Sequence, residues 1–264
     1  MLDTNAQTLS GKRALVTGGS RGIGRSIALA LAAAGADVAL TARRQPELDV
    51  VVAEVRALGR LGLGLTCDVT DPDQVQQLAG TLNDELGGVE ILINNAGRAQ
   101  SHKFLNHPDD LWHALVAANL TSVYYVTKAI VPAMVTQRWG RVINIASMNS
   151  KIGGRYIAAY TATKHGVLGL TRSLALELVD YQITVNAICP GYVDTPATEA
   201  NIANIASRTG MSESDARTAL EKLSPQQRLI EPEEVAAVAV MLAQEESRGI
   251  TGQAINVDGG SVMS

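Results

Sequence analysis

Tyr160 and Lys164 stand four residues apart in a segment, 158–178, whose apolar residues Val167, Leu170, Leu174 and Leu178 recur at three- and four-residue steps. That period predicts a helix. On it, positions i and i+4 share a face, so the phenol and the ammonium are presented together. A free phenol titrates near ~10, and a neighbouring cation favours its ionised form, so the Tyr160 pKa is expected to fall toward neutrality. A tyrosine tuned in this way can give a proton to a carbonyl oxygen or take one from an alcohol. Ser147 adds a hydroxyl donor at the end of a run, 140–147, that reads as a strand, and a second run, 183–188, leads into Cys189-Pro190-Gly191. In open α/β sheets ligands bind just beyond the carboxyl ends of strands, where Ser147, Pro190 and Gly191 all fall. Tyr-x-x-x-Lys alone is a common solvated pair; its place between these two strands separates it from that background.

The elements that position these groups alternate strand and helix. Residues 12–17 form a short apolar run that enters the turn Gly18-x-x-x-Gly22-x-Gly24, followed by a helix over 22–34. The spacing departs from the common G-x-G-x-x-G, but the physics is shared. Glycines let backbone approach a pyrophosphate, and a helix N-terminus supplies N–H groups and partial positive charge. Strand 37–42 ends in Ala42-Arg43-Arg44, where an NAD site places an acidic residue for the ribose 2′-hydroxyl. A guanidinium there suits a 2′-phosphate, so the expected cofactor is NADP(H), with Arg43 and Arg21 on the phosphate. Strands over 61–66 and 89–93 flank a helix over 72–86, for which Asp71 is the expected N-cap ahead of Pro72. The second of these strands runs into Asn94-Asn95-Ala96-Gly97, where Asn95 can tie neighbouring strands together; Asn94 reads equally as structural or ligand-facing. Residues 109–136 read as one long helix, with Pro132 near its end and Asn119, a mediocre helix former, inside it. The rhythm breaks over 197–223, in helical pieces rich in Ala, Ser and Asn, and Glu231-Pro232-Glu233-Glu234 opens another helix with acid at its positive end.

Ser147, Tyr160 and Lys164, together with Thr17-Gly-Gly-Ser-Arg-Gly-Ile-Gly24 and Asn94-Asn-Ala-Gly97, resemble the short-chain dehydrogenase/reductase family, with the motifs in family order over residues 9–260. The resemblance implies a single-domain, Rossmann-like α/β fold, a doubly wound parallel sheet of about seven strands with helices on both faces. Residues 9–150 would be the mainly dinucleotide-binding half of a domain spanning 1–264. Residues 151–264 would carry the catalytic helix, a substrate lid over 195–225 and the last strand within 249–260. Cofactor contacts are implied for Gly18, Ser20, Arg21, Gly22, Ile23, Gly24, Arg43, Asp68, Val69, Asn95, Ala96, Gly97, Tyr160, Lys164, Pro190, Gly191, Val193 and Thr195. Of these, Asp68 and Val69 border the adenine, and Val193 and Thr195 meet the nicotinamide carboxamide. The catalytic set implied is Asn119, Ser147, Tyr160 and Lys164. Ser147 and Tyr160 would receive the carbonyl oxygen, and Lys164 would bind the nicotinamide ribose. Asn119, at a kink, would hold a water that completes a proton route from Tyr160 to solvent. Apolar residues on more than one face of the helices over 109–136 and 158–180 then read as buried between subunits, typically of a homotetramer.

Composition narrows the remaining classes. Of 264 residues, 46% are hydrophobic and only 3% aromatic, the make-up of buried parallel strands under helices. A net charge of -4 offers no basic field for nucleic acid or an anionic membrane. Residues 1–8 lack the basic start and apolar core of a signal peptide, and the apolar run 235–242 is too short to span a bilayer, so a cytoplasmic protein is expected. Cys67 and Cys189 have no metal or redox spacing and read as buried free thiols. His102, His107, His113 and His165 gather no metal site; His165 is expected to pack or cap locally. By overall pattern the nearest subfamilies are reductases of 3-oxoacyl thioesters on ACP or CoA and aromatic polyketide ketoreductases. Arg98, Lys151, Arg155 or Arg208 could meet the phosphates of a carrier arm. The alternative is a dehydrogenase of a small hydroxy acid, sugar or xenobiotic alcohol. A 3-hydroxybutyrate type is weakened by Arg43 and by Tyr192, where that group usually has Trp. A catalytically silent NADP-binding regulatory protein is the reading from another class, disfavoured because Asn119, Ser147, Tyr160 and Lys164 are all kept.

Overall fold

A computed structural model describes residues 7–263; residues 1–6, most of the segment read above for a signal peptide, lie outside the described residues. The strands are β1 (Arg13–Thr17), β2 (Asp37–Ala42), β3 (Gly62–Thr66), β4 (Ile91–Asn94), β5 (Gly140–Ile145), β6 (Ile183–Pro190) and β7 (Ala254–Val257). They form one seven-stranded sheet in the order β3-β2-β1-β4-β5-β6-β7, with every neighbouring pair parallel. The order reverses between β1 and β4, where Val16 stands opposite Ile93. That reversal opens a crevice at the carboxyl ends of the two strands, the place where such sheets take ligands.

Alternation along the strands divides the interior in two. Val16, Leu40, Ile93 and Ile143 face α1 (Gly22–Ala33), α2 (Gln45–Ala57) and α9 (Pro232–Ala243). Leu15, Leu92, Val142 and Val185 face α3 (Pro72–Leu86), α5 (Ser122–Gln137) and α6 (Ala158–Leu178). Helices cover both faces of the sheet, so β4 and β6 are buried throughout and mostly apolar. α3 shows how local chemistry sets the bounds. The Asp71 carboxylate accepts from the N–H groups of Asp73 and Gln74, Pro72 takes a first-turn position, and Gly87 at φ 74° ends the helix.

The segment read as one long helix is α4 (Asp109–Val116), a π-turn over Ala117–Thr121, and α5. Asn119 lies in the π-turn, a wide turn of the kind that marks functional sites in helices. By length and composition Asp109–Gln137 could cross a membrane, a longer apolar stretch than 235–242. One face of it packs under the sheet through Val126, Ile130 and Met134, while Trp112 and Tyr124 are exposed. After β6 come α7 (Pro196–Thr209) and α8 (Glu213–Glu221), which share a small cluster of their own away from the sheet.

Candidate active site

Ser147 stands two residues beyond β5, which ends at Ile145 rather than at Ser147 as expected. Its Oγ accepts from the Asn149 N–H at 3.1 Å, and its own N–H donates to Ser150 Oγ at 3.1 Å, so a reciprocal cap fixes the hydroxyl at the strand end. Across from it, α6 supplies Tyr160 and Lys164. The Ser147 side chain lies close enough to the Tyr160 phenol to hold its pKa down. Lys164, buried, donates from Nζ to the Ile145 carbonyl at 2.7 Å, two residues before Ser147. Its Nζ is 5.8 Å from the centre of the Tyr160 ring.

The expected fall in the Tyr160 pKa is not what this arrangement produces. Burial pushes the phenol up, and the Ser147 side chain opposes it. The cation that was to lower it is itself desolvated: burial brings Lys164 from 10.5 down to about 8, and one of its three donors goes to the Ile145 carbonyl. The sequence reading counted the charge pair and omitted the cost of taking both groups out of water.

Asn119 is fully buried. Its side-chain carbonyl accepts from the Arg98 N–H at 2.8 Å, and its amide donates to the Arg98 carbonyl at 2.9 Å and to Thr163 Oγ1 at 3.3 Å. Thr163 in turn donates to the Tyr160 carbonyl at 2.7 Å. The π-turn is thereby tied to α6 and to the loop after β4. Asn94, left open between two roles, is buried, donating to Thr127 Oγ1 and Asn144 Oδ1 at 2.9 Å each.

The glycine turn lies beside these groups. Asn95 donates from Nδ2 to the carbonyls of Thr17 and Gly18 at 3.0 and 3.1 Å, tying β4 to β1. Thr17 Oγ1, which the sequence reading named in the motif without a role of its own, accepts from the N–H groups of Asn95 and Ala96 at 3.0 Å each. A Cβ on Gly24 would stand 2.3 Å from the Gly18 carbonyl oxygen and 2.5 Å from Asn95 Nδ2, so no side chain fits. The first turn of α1 has no side-chain cap at Arg21 and no acidic residue, which leaves its N–H groups for an anion. A Cβ on Gly22 would be 3.3 Å from the Thr195 methyl, so the loop after β6 closes against the turn. In that loop Gly191 donates its N–H to Val257 at 3.0 Å, and Val193 bridges Ile230. Pro190 ends β6, and Ile23, in the first turn of α1, packs against the core.

At the end of β2, Arg43 is exposed with no ion pair among the described residues, while Arg44 pairs with Glu47. The Glu47 carboxylate also accepts from Ser20 Oγ at 3.3 Å. Arg21 is exposed at the same mouth. Asp68 holds Thr70 through Oδ1 next to buried Val69. This set fits an NADP dinucleotide: a Cβ-free cradle, an uncapped helix start and an unpaired guanidinium after β2. Among the cations suggested for a carrier arm, Arg98, Arg155 and Arg208 are exposed. Lys151 is turned inward instead, donating to the Ala254 carbonyl at 2.8 Å. The neighbouring strand end offers it an acceptor that no sequence pattern displays. Ser150, Glu47 and Arg217 were also missed; only Ser150, three residues after Ser147, carried a readable signal, that of a reciprocal cap. His165 Nδ1 meets the Thr161 carbonyl at 2.9 Å within its own helix. Cys67 and Cys189 are buried free thiols.

A doubly wound sheet whose switch point joins a glycine cradle to a Ser-Tyr-Lys set defines a dinucleotide-dependent oxidoreductase. Comparison with known proteins agrees. The family described as Enoyl-(Acyl carrier protein) reductase matches residues 18–262. The chain is 38% identical over 255 residues to the 3-oxoacyl-(acyl-carrier-protein) reductase FabG of Vibrio harveyi, covering 97% of this chain and 99% of that protein. It is 37% identical over 252 residues to the D-beta-hydroxybutyrate dehydrogenase of Rhizobium meliloti (strain 1021), covering 94% and 98% of the two. A variant of actinorhodin polyketide ketoreductase, solved with NADPH, has a TM-score of 0.92 at 37% identity, with 97% of this chain and 98% of that one covered. The chain belongs to the short-chain dehydrogenase/reductase family.

Proposed function

We propose that this protein is an NADP(H)-dependent reductase of a ketone carried as a 3-oxoacyl thioester, on ACP or CoA, or as a polyketide. The observation that carries it is the gathering of Ser147, Tyr160 and buried Lys164 at the end of β5, with Lys164 Nζ on the Ile145 carbonyl and 5.8 Å from the Tyr160 ring. The names of the relatives, two of them reductases of such ketones, support the substrate class. Arg43, unpaired at the end of β2, supports NADP(H) over NAD. When bound, the nicotinamide supplies the hydride. Ser147 and Tyr160 hold the carbonyl oxygen as it gains negative charge, and Tyr160 gives it a proton. Lys164 binds the cofactor ribose with the donors that the Ile145 carbonyl leaves to it. Asn119 anchors the π-turn beside this route.

The same reading makes the chain one domain, with residues 9–150 mainly binding dinucleotide and 151–264 carrying the catalytic helix, the lid over 195–225 and the last strand. It acts in the cytoplasm as a homotetramer. Trp112 and Tyr124 on α4 and α5, and Leu176 on α6, are exposed apolar residues of the kind that subunit contact covers.

The test is the initial rate of NADPH and NADH oxidation with acetoacetyl-CoA. Turnover with NADPH well above NADH is expected. A preference for NADH refutes the role of Arg43. NADPH binding without turnover across linear, cyclic and aromatic ketones refutes the enzyme and leaves a regulatory protein.

A further inference from the structure

Helices α7 and α8 have little apolar ground to stand on. Their cluster is Ile202, Ala216, Leu220 and Leu229, with Tyr192, Ile205 and Ala206 around it. Elements with few buried apolar contacts open at the lowest cost, so polar ties weigh heavily in where they rest. The tie here is Arg217. From α8 its guanidinium donates to both carboxylate oxygens of Asp194, at 3.1 and 3.2 Å. It also donates to Glu199, in the first turn of α7, at 2.5 Å, and lies 3.6 Å from Glu221 on its own helix. An isolated exposed ion pair contributes little. A planar fork shared among three carboxylates has a fixed geometry and is a stronger contact.

Asp194 is a firm post for this fork. Its N–H donates to the Ile230 carbonyl at 2.8 Å, and the Ile230 N–H donates to the Tyr192 carbonyl at 2.8 Å. On either side of it are Val193, bridged to Ile230, and Thr195, which caps α7 and abuts Gly22 of the glycine turn. Swinging α8 away would pull on the one residue that lies between these two.

We propose that Arg217 is a positioning residue that latches the lid to the cofactor-facing loop, so that lid closure and seating of the nicotinamide end of the dinucleotide are one event. The proposal rests on the NADPH-linked ketone reduction above. Arg217 acts through Asp194.

Arg217→Ala, Arg217→Lys, Asp194→Asn and the combined Arg217→Ala, Asp194→Asn variant are compared with the native protein. The readouts are steady-state kinetics, NADPH titration and amide hydrogen exchange over residues 196–221. Native protein should gain exchange protection there when NADPH binds. Arg217→Ala and Asp194→Asn should each lose that gain and raise both the ketone KM and the NADPH Kd about tenfold, with kcat changed less than about threefold. Arg217→Lys, which keeps the charge and loses the fork, should fall between. The combined variant should be no worse than either single one, because both cut the same contact. A lowered Tm with unchanged KM, Kd and NADPH-induced protection would mean that Arg217 only supports the fold, and would overturn the proposal; additive losses in the combined variant would do the same. If native protein binds NADPH yet reduces no ketone, the functional reading fails, while the latch is still decided by whether the variants lose the protection.

Discussion

Replacing Lys164 with methionine should make the protein both more stable and inactive. The residue is 6% exposed, and burial lowers its pKa from 10.5 to about 8. At about 1.4 kcal/mol per pH unit, the charged form is then about 3 kcal/mol costlier in the fold than in the unfolded chain. Methionine has nearly the same length and no charge, but it leaves the Ile145 carbonyl without the donor now at 2.7 Å. That loss costs about 1–2 kcal/mol. The net at pH 7 is a gain of about 1–2 kcal/mol, or about 2–8 °C in Tm. The pH dependence supplies the sign. Because the folded-state pKa is the lower one, the unfolded chain binds more protons between pH 8 and 10.5. Native stability therefore rises with pH across that window, and the variant, lacking the group, does not share the rise. Its advantage should be full at pH 7 and gone by about pH 9.5. Urea denaturation at the two pH values measures both quantities, alongside NADPH-linked turnover, which should fall by at least ~10². A variant less stable than native protein at pH 7, or a difference that does not change with pH, would refute the reasoning.

Tyr160→Phe removes the proposed proton donor and should lower kcat at least ~10²-fold while NADPH still binds; near-normal turnover would remove Tyr160 from the mechanism. Arg43→Ala takes away charge-assisted hydrogen bonds worth about 1.5–3 kcal/mol, so the NADPH KM should rise about 10- to 100-fold with the NADH KM unmoved. Equal effects on both cofactors would show that Arg43 does not read the 2′-phosphate. Gly24→Ala should abolish NADPH binding, followed by nucleotide fluorescence, because the new Cβ would meet backbone 2.3 Å away. A folded variant that still binds NADPH tightly would mean that the turn is not the cradle.

Much of the fold was legible because it rests on local chemistry. The start of α3 follows from Asp71 ahead of Pro72, and β1, β2 and β6 begin at or within a residue of the expected positions because each is a short apolar run bounded by polar residues or glycine. Boundaries slipped where tertiary contact extends an element. β6 continues to Pro190 because its last residues pair with β7, and the helix over 109–136 contains a π-turn because Asn119 reaches across to Arg98 and Thr163. Of the site, the order Gly turn, Asn-Asn-Ala-Gly, Ser147, Tyr160, Lys164 was readable as a string.

What the sequence by itself determined is which groups are present and the faces they share on a helix or the strand ends they follow, since backbone geometry makes those a matter of spacing. Only the tertiary structure decided what each group is bound to and how much water it keeps. Lys151 turns to Ala254, 103 residues away. Glu47 gathers Ser20 and Arg44. Arg217 on α8 finds Asp194, just beyond β6. Tyr160 and Lys164 depart from their ordinary pKa values in the directions that burial dictates. Hydrogen bonds act within a few ångströms and desolvation depends on every segment packed nearby, so neither is a property of any stretch of chain taken alone.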